Sequence, residues 1–242
     1  MGSGITIAAL NSGLPVTMVE RDQESLERGI ENVKKVYRRD VEKGRLSQEK
    51  ADKILSNYST STHLKDLSDK DMIIEAVFEE LEVKKSVFSQ LNDIAKEGAV
   101  LASNTSYLDI DKIASATDRV GDVIGLHFFS PANIMRLLEI VVPTNVKDDV
   151  VATGFQLAKI LKKVPVRAGN CDGFIGNRVL ENYAKAANYM MEDGTSPYDI
   201  DKAIVEFGYP MGPFQMFDLA GGDIGWAVSY THLRAHETLQ HL

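Results

Sequence analysis

A single cysteine, Cys171, is too few for an internal disulfide or a Cys-rich metal module, so the 242-residue chain fits a reducing compartment. Long apolar runs are missing too. None approaches the roughly 18 residues of a membrane span, and the N-terminus lacks a basic segment followed by an apolar one, so a soluble intracellular protein is expected. Positive charge is in deficit: 27 Lys and Arg stand against 35 Asp and Glu, and the net charge of -8 argues against a nucleic-acid binder. What remains is ordinary for a globular chain, with 44% hydrophobic and 26% charged residues and enough length for one large domain or two modest ones.

The most informative stretch is GLHFFSPANIMRLLEIVV, Gly125 to Val142. Its run Leu137, Leu138, Glu139, Ile140, Val141, Val142 reads as a buried strand, and an ionised carboxylate inside one is costly unless it has a partner. His127 ends an earlier apolar run, and a turn through Ser130, Pro131 and Ala132 would fold the second strand back and bring imidazole and carboxylate together. Paired in this way, the carboxylate fixes one ring nitrogen and leaves the other free as a base. The alternative is a structural His beside a separate strand-end Glu.

From the start of the chain, Met1 to Leu14 has small and apolar residues at helical spacing, stopped by Gly13 before a strand from Val16 to Glu20. A Gly-rich helix followed by a strand ending in an acid is the second half of a dinucleotide-binding βαβ unit. The first strand and leading glycines of G-x-G-x-x-G are expected just before Met1, making Gly2 the third glycine, placed for close helix-to-strand packing. That role explains Gly2 without the N-myristoylation its pattern with Thr6 would also match. Asp22 to Lys43 forms a charged helix with Leu26, Ile30, Val33, Val36 and Tyr37 on one face, and Ser47 caps a second helix through Ser56. This helical pair interrupts the alternation, either to carry substrate contacts or as a solvated hairpin.

Alternation then resumes with strand Met72 to Val77, helix Leu81 to Lys96, strand Ala99 to Ser103, short helix Asp109 to Ala116 and strand Val123 to Phe128, the signature of a covered parallel sheet. Helix Asp148 to Lys163 and strand Val164 to Arg167 complete it. Ligands in such sheets sit at the carboxyl ends of the strands. Glu79 and Lys84 follow one strand end, in place to reach a cofactor. Asn104, Thr105 and Ser106 follow the next, where they either bond a ligand or cap the helix. Beyond Gly169, Asn170 and Asp172 the pattern is helical: Gly173 to Met191, Pro197 to Phe207 and Pro213 to Ala227. Asn177 lies one turn into the first of these helices. The last stretch, SYTHLRAHETLQHL, holds three of the five histidines. His232 and His236 stand four apart beside Glu237, but the stretch breaks the helical pattern and is read as a foreign tail rather than a metal site.

The segments MGSGI, DMIIEAVFEE, ASNTS, GLHFFSP with LLEIV, DGFIGNR and GYPMGPF resemble the 3-hydroxyacyl-CoA dehydrogenase family, in its order and spacing, from Met1 to about Val228. Several look like the dehydrogenase part of multifunctional fatty-acid oxidation enzymes. The resemblance implies a Rossmann-type doubly wound α/β domain at 1–169, a small all-α domain at 170–228 and a non-native tail at 229–242. It also implies NAD as cofactor and oxidation of a 3-hydroxyacyl-CoA to the 3-ketoacyl-CoA. By this resemblance His127 is the catalytic base and Glu139 its partner, while Ser106 and Asn177 bond the substrate's 3-oxygen and thioester region. The cofactor pattern falls on Gly2, Glu20, Glu79, Lys84 and Ser106, with no metal. An acyl-CoA substrate, a dimer or a place in a multifunctional chain, and a cytoplasmic (bacterial), mitochondrial or peroxisomal (eukaryotic) setting are implied as well. Two other classes stay open: a β-hydroxyacid dehydrogenase, whose members use a lysine in place of the His and Glu pair, and a non-enzymatic relative such as lens λ-crystallin.

Overall fold

The computed structural model describes residues 1–220 and divides into two units, Met1–Ile175 and a second from Gly176 onward. The tail with His232, His236 and Glu237 lies outside the described residues. Among those residues no helix is long and apolar enough to cross a membrane, and no group of His, Cys, Asp and Glu is placed to hold a metal ion.

The first unit begins with α1 (Gly2–Asn11), β1 (Val16–Val19), α2 (Gln23–Glu42) and α3 (Gln48–Leu55). Both later helices start where their capping residues stand. Asp22 accepts from the Ser25 N–H at 2.7 Å, and Ser47 from the Lys50 N–H at 3.3 Å. Leu26, Val33 and Tyr37 of α2 are buried, Val33 and Tyr37 in a core shared with Ile7 and Leu10 of α1 and Ala51 of α3. The helical pair therefore closes a core and is not merely solvated. After it comes a strand that the sequence pattern does not announce, β2 (Tyr58–Ser61), pairing parallel with β1 in register Val16↔Tyr58. A hydroxyl pair, Thr17 with Ser59 at 2.8 Å, ties the two strands on their exposed face.

The remaining strands are β3 (Met72–Glu75), β4 (Val100–Ser103), β5 (Val123–Phe128), β6 (Leu137–Val142) and β7 (Val164–Gly169), joined in that spatial order into a second sheet. Pairing is parallel throughout this sheet except between β5 and β6, where the chain folds back. Helices α4 (Leu81–Ile94), α5 (Ile110–Ala114) and α6 (Asp148–Ile160) cover it. Every residue of β4 and β5 is buried, as apolar strands covered on both faces require. Among the described residues, β1 and β3 each leave one edge without a ladder. Helix α1 joins the two half-sheets by burying Ile7 and Leu10 in one core and Ile5 in the other, which also holds Ile124, Leu126 and Ile140.

Around Gly2 a Cβ would meet nothing within 4 Å among the residues of this chain. The close approach is one half-turn further on. A Cβ at Gly4 would stand 3.2 Å from both Cβ and N of Ala132, because that face of α1 lies against the loop after β5. A second glycine is required at Gly125, where a Cβ would fall 2.6 Å from the Cβ of Val141, its partner across β5 and β6.

Residues 170–175 belong with the first unit rather than the helical one. Phe174 is buried in the sheet's second core, and the Ile175 N–H is bonded within the unit. The helical unit holds α7 (Gly176–Glu192), α8 (Pro197–Phe207) and α9 (Pro213–Ala220). Its buried Asp201 accepts from the N–H groups of Phe214 and Gln215 at 2.9 and 3.0 Å, fixing the start of α9 on α8. Asn177 is the second residue of α7.

Candidate active site

Antiparallel register sets His127 of β5 directly opposite Glu139 of β6. The His127 Nδ1 lies 2.6 Å from Glu139 Oε2, and the two residues are 4% and 0% exposed. The other carboxylate oxygen, Oε1, accepts from the Ile175 N–H at 3.0 Å. That contact depends on the turn before it, where Gly173 and Phe174 both have positive φ, +66° and +46°. A bulky residue rarely adopts such a conformation, and here it swings the Ile175 N–H onto the acid. With both oxygens bonded, the buried carboxylate is accounted for as an anion. As acceptor it holds the proton on Nδ1 and leaves Nε2 free to take one. The rings of Phe129 and Phe174 flank the imidazole, with centroids at 4.4 and 5.7 Å. Sequence pattern located the pair but not this lining.

A second polar cluster stands at the carboxyl end of β3. Glu75 is 4% exposed, and its Oε1 accepts from Lys84 Nζ at 2.8 Å and from the Val77 N–H at 2.7 Å, while Oε2 accepts from Ser103 Oγ at 2.7 Å. Lys84, expected to reach a cofactor, is 0% exposed and bridges Glu75 to Glu79, 3.3 Å from the latter. An ammonium at this depth needs carboxylates around it, and two are supplied. Glu79 grips the loop after β4, accepting from the Thr105 hydroxyl and from the N–H groups of Ser106 and Tyr107 at 2.6 and 3.2 Å. Ser106 is thus positioned by its main chain.

The three polar residues after β4 divide their work. Thr105 Oγ1 accepts from the Leu108 N–H at 2.9 Å and shapes the turn, while Asp109 caps α5. Asn104 does neither; its Oδ1 accepts from the Phe128 N–H at 2.9 Å. Nothing in the sequence signals that bridge, because its two ends lie 24 residues apart.

On the cofactor side, Glu20 directly follows β1, and its N–H is bonded to Ser61 O at 3.1 Å. Burial first, and then the Glu20 charge, pushes the Tyr58 phenol up to about 12. Arg21 is bonded to Asp22 at 2.8 Å, with its guanidinium 5.8 Å from the centre of the Phe78 ring. At the N-terminus of α1 no side chain caps the helix, and the space around Gly2 is open. A helix N-terminus, which favours an anion, followed by a strand with an acid at its end fits a dinucleotide.

Both parts of the chain are similar to known proteins. The NAD binding domain model of 3-hydroxyacyl-CoA dehydrogenase matches residues 1–171, and the C-terminal domain model of the same enzyme matches residues 173–241. The peroxisomal bifunctional enzyme of Cavia porcellus is 43% identical over 230 residues, 94% of this chain and 31% of that protein. The peroxisomal fatty acid beta-oxidation multifunctional protein MFP2 of Arabidopsis thaliana is 42% identical over 229 residues, 95% of this chain and 32% of that protein. The chain thus spans about a third of the length of these curated relatives. Among solved structures, 3-hydroxybutyryl-CoA dehydrogenase from Escherichia coli gives a TM-score of 0.90 at 34% identity, covering 98% of this chain and 50% of that one. FadB2 of M. tuberculosis gives 0.89 at 36%, covering 92% and 80%.

Proposed function

The chain belongs to the 3-hydroxyacyl-CoA dehydrogenase family, and from that premise we propose that it oxidises (S)-3-hydroxyacyl-CoA to 3-ketoacyl-CoA with NAD, within fatty-acid β-oxidation. The observation that carries this reading is the buried contact of His127 Nδ1 with Glu139 Oε2 at 2.6 Å. His127 Nε2 takes the proton of the substrate's 3-hydroxyl while the hydrogen on C3 leaves as hydride. The nicotinamide, when bound, supplies the acceptor for that hydride. As His127 becomes imidazolium, the Glu139 carboxylate stabilises the new charge, and the flanking Phe129 and Phe174 rings keep water away from the transfer. In the reverse direction the same imidazole is the acid.

Ser106 and Asn177 bond the 3-oxygen and thioester region of the substrate in this proposal. Glu20 accepts from the ribose hydroxyls, Gly2 lies by the pyrophosphate, and Glu79 and Lys84 serve the cofactor side while holding the loop on which Ser106 sits. The family membership and the dyad favour this reading over a lysine-based β-hydroxyacid dehydrogenase and over a structural relative without turnover. The exposed Val179, Tyr189, Tyr198 and Phe207 of the helical unit support burial against a further protein surface, in a dimer or in a multifunctional chain, and the eukaryotic relatives named above support a peroxisomal setting.

Turnover of acetoacetyl-CoA tests the proposal directly. We expect oxidation of NADH, and a preference over NADPH of roughly tenfold or more in kcat/KM, because Glu20 repels a 2′-phosphate while Arg21 is held by Asp22. No turnover would overturn the enzyme assignment, and equal use of both cofactors the role of Glu20.

A further inference from the structure

The parallel ladder between β4 and β5 ends early. Its register runs Leu101↔Val123, Ala102↔Ile124, Ser103↔Gly125, after which β4 turns into the loop 104–107. Strand β5 continues for three residues more, and His127 is among them, with β6 beside it. On the side that β4 has left, the peptide N–H between His127 and Phe128 is received by Asn104 Oδ1 at 2.9 Å, a side chain standing in for the missing rung. Because a main-chain N–H can only donate, the oxygen of the Asn104 amide must face it, so the amide's orientation is fixed. Asn104 is 7% exposed, and its own N–H donates to Glu75 O at 2.8 Å. One residue therefore links the carboxyl ends of β3, β4 and β5: the buried Glu75–Lys84 cluster on one side, the catalytic strand on the other.

We infer that Asn104 is a positioning residue for the general base, acting through the backbone that carries His127. Glu139 aims the imidazole ring; Asn104 fixes the peptide from which it projects. The inference rests on the proposed reaction and extends it to a residue bonded to the main chain of β5. Without the Asn104 oxygen, the end of β5 loses the bond that holds Phe128 beyond the β4 ladder, and the ring shifts relative to a substrate held elsewhere. A displacement of about 1 Å at a catalytic group can cost roughly 10²-fold in rate.

Two variants separate positioning from plain stability. Asn104→Ala removes the acceptor; Asn104→Asp keeps it and adds a negative charge near the imidazole, which otherwise faces the Glu139 carboxylate and the rings of Phe129 and Phe174. For Asn104→Ala we expect kcat to fall by roughly 10² with NADH affinity, read by titration, changed less than about twofold. Asn104→Asp should recover most of kcat, and in the oxidation of 3-hydroxyacyl-CoA by NAD, where His127 is the base, the acid limb of its pH–rate profile should move to higher pH, since an added carboxylate favours the imidazolium. The same displacement should appear in the His127 imidazole titration followed by NMR, which needs no turnover. An alanine variant within about threefold of wild-type kcat would overturn the inference, as would an aspartate variant as slow as alanine with an unmoved titration. A wild-type chain without turnover would instead remove the proposed reaction, leaving the NMR titration to decide whether Asn104 governs His127.

Discussion

Glu139→Gln should leave the protein folded and cut turnover by roughly 10² to 10⁴. Among the donors that Glu139 receives are His127 Nδ1–H on one oxygen and the Ile175 N–H on the other. An amide has a single oxygen, so it cannot receive both. Since the Ile175 N–H is a fixed donor, the amide oxygen stays with it and the amide NH₂ is turned toward the imidazole. His127 then accepts at Nδ1 and carries its proton on Nε2, the nitrogen that has to be empty to act as base. Loss of the negative charge adds to this, because nothing then stabilises the imidazolium. The shape of the side chain is unchanged, so the melting temperature should drop only slightly. Steady-state kinetics beside a thermal melt decides the matter, and a variant within about threefold of wild type would remove the dyad from the mechanism.

Lys84→Met should be the most damaging single change to stability. It strips the ammonium from Glu75, whose side chain is 1% exposed, and leaves a charge buried without a counter-ion. Breaking a buried pair in this way costs roughly 3 to 5 kcal/mol, a large part of a typical total of about 5 to 15. The double variant Glu75→Gln, Lys84→Met should recover much of the loss, because a neutral amide oxygen still accepts from the Val77 N–H and no charge is stranded. Urea unfolding of wild type, single and double variants measures both effects. A single variant within about 1 kcal/mol of wild type, or a double variant no better than the single, would contradict the account of this cluster.

How far the sequence foretold this depends on how locally each feature is encoded. The dyad was legible because LLEIVV is apolar except for one acid, and because the turn through Ser130 and Pro131 fixes which way the strand returns. Helices α2 and α3 were legible from their caps and stripes, and β5 and β6 to the residue. Strand β2 was not. Its sequence YSTS carries no apolar alternation, and it is a strand because β1 offers an edge and Tyr58 packs on the core of α1, α2 and α3. The depth of Lys84 was hidden for a related reason: a lysine early in an amphipathic helix ordinarily faces water, and only the tertiary position of Glu75 makes burial tolerable. The close approach of Gly4 was hidden because it depends on the tertiary position of Ala132. The bridge from Asn104 to Phe128 was illegible because one short amide after a strand reads first as a cap.

The most direct test of the central claim, that His127 is the general base of an NAD-dependent dehydrogenase, is the rate of NADH oxidation by acetoacetyl-CoA in wild type and in His127→Gln, with NADH affinity titrated in both. The account predicts a loss of roughly 10² to 10⁴ in kcat with affinity changed less than about twofold. A His127→Gln variant that turns over within about threefold of wild type would contradict it.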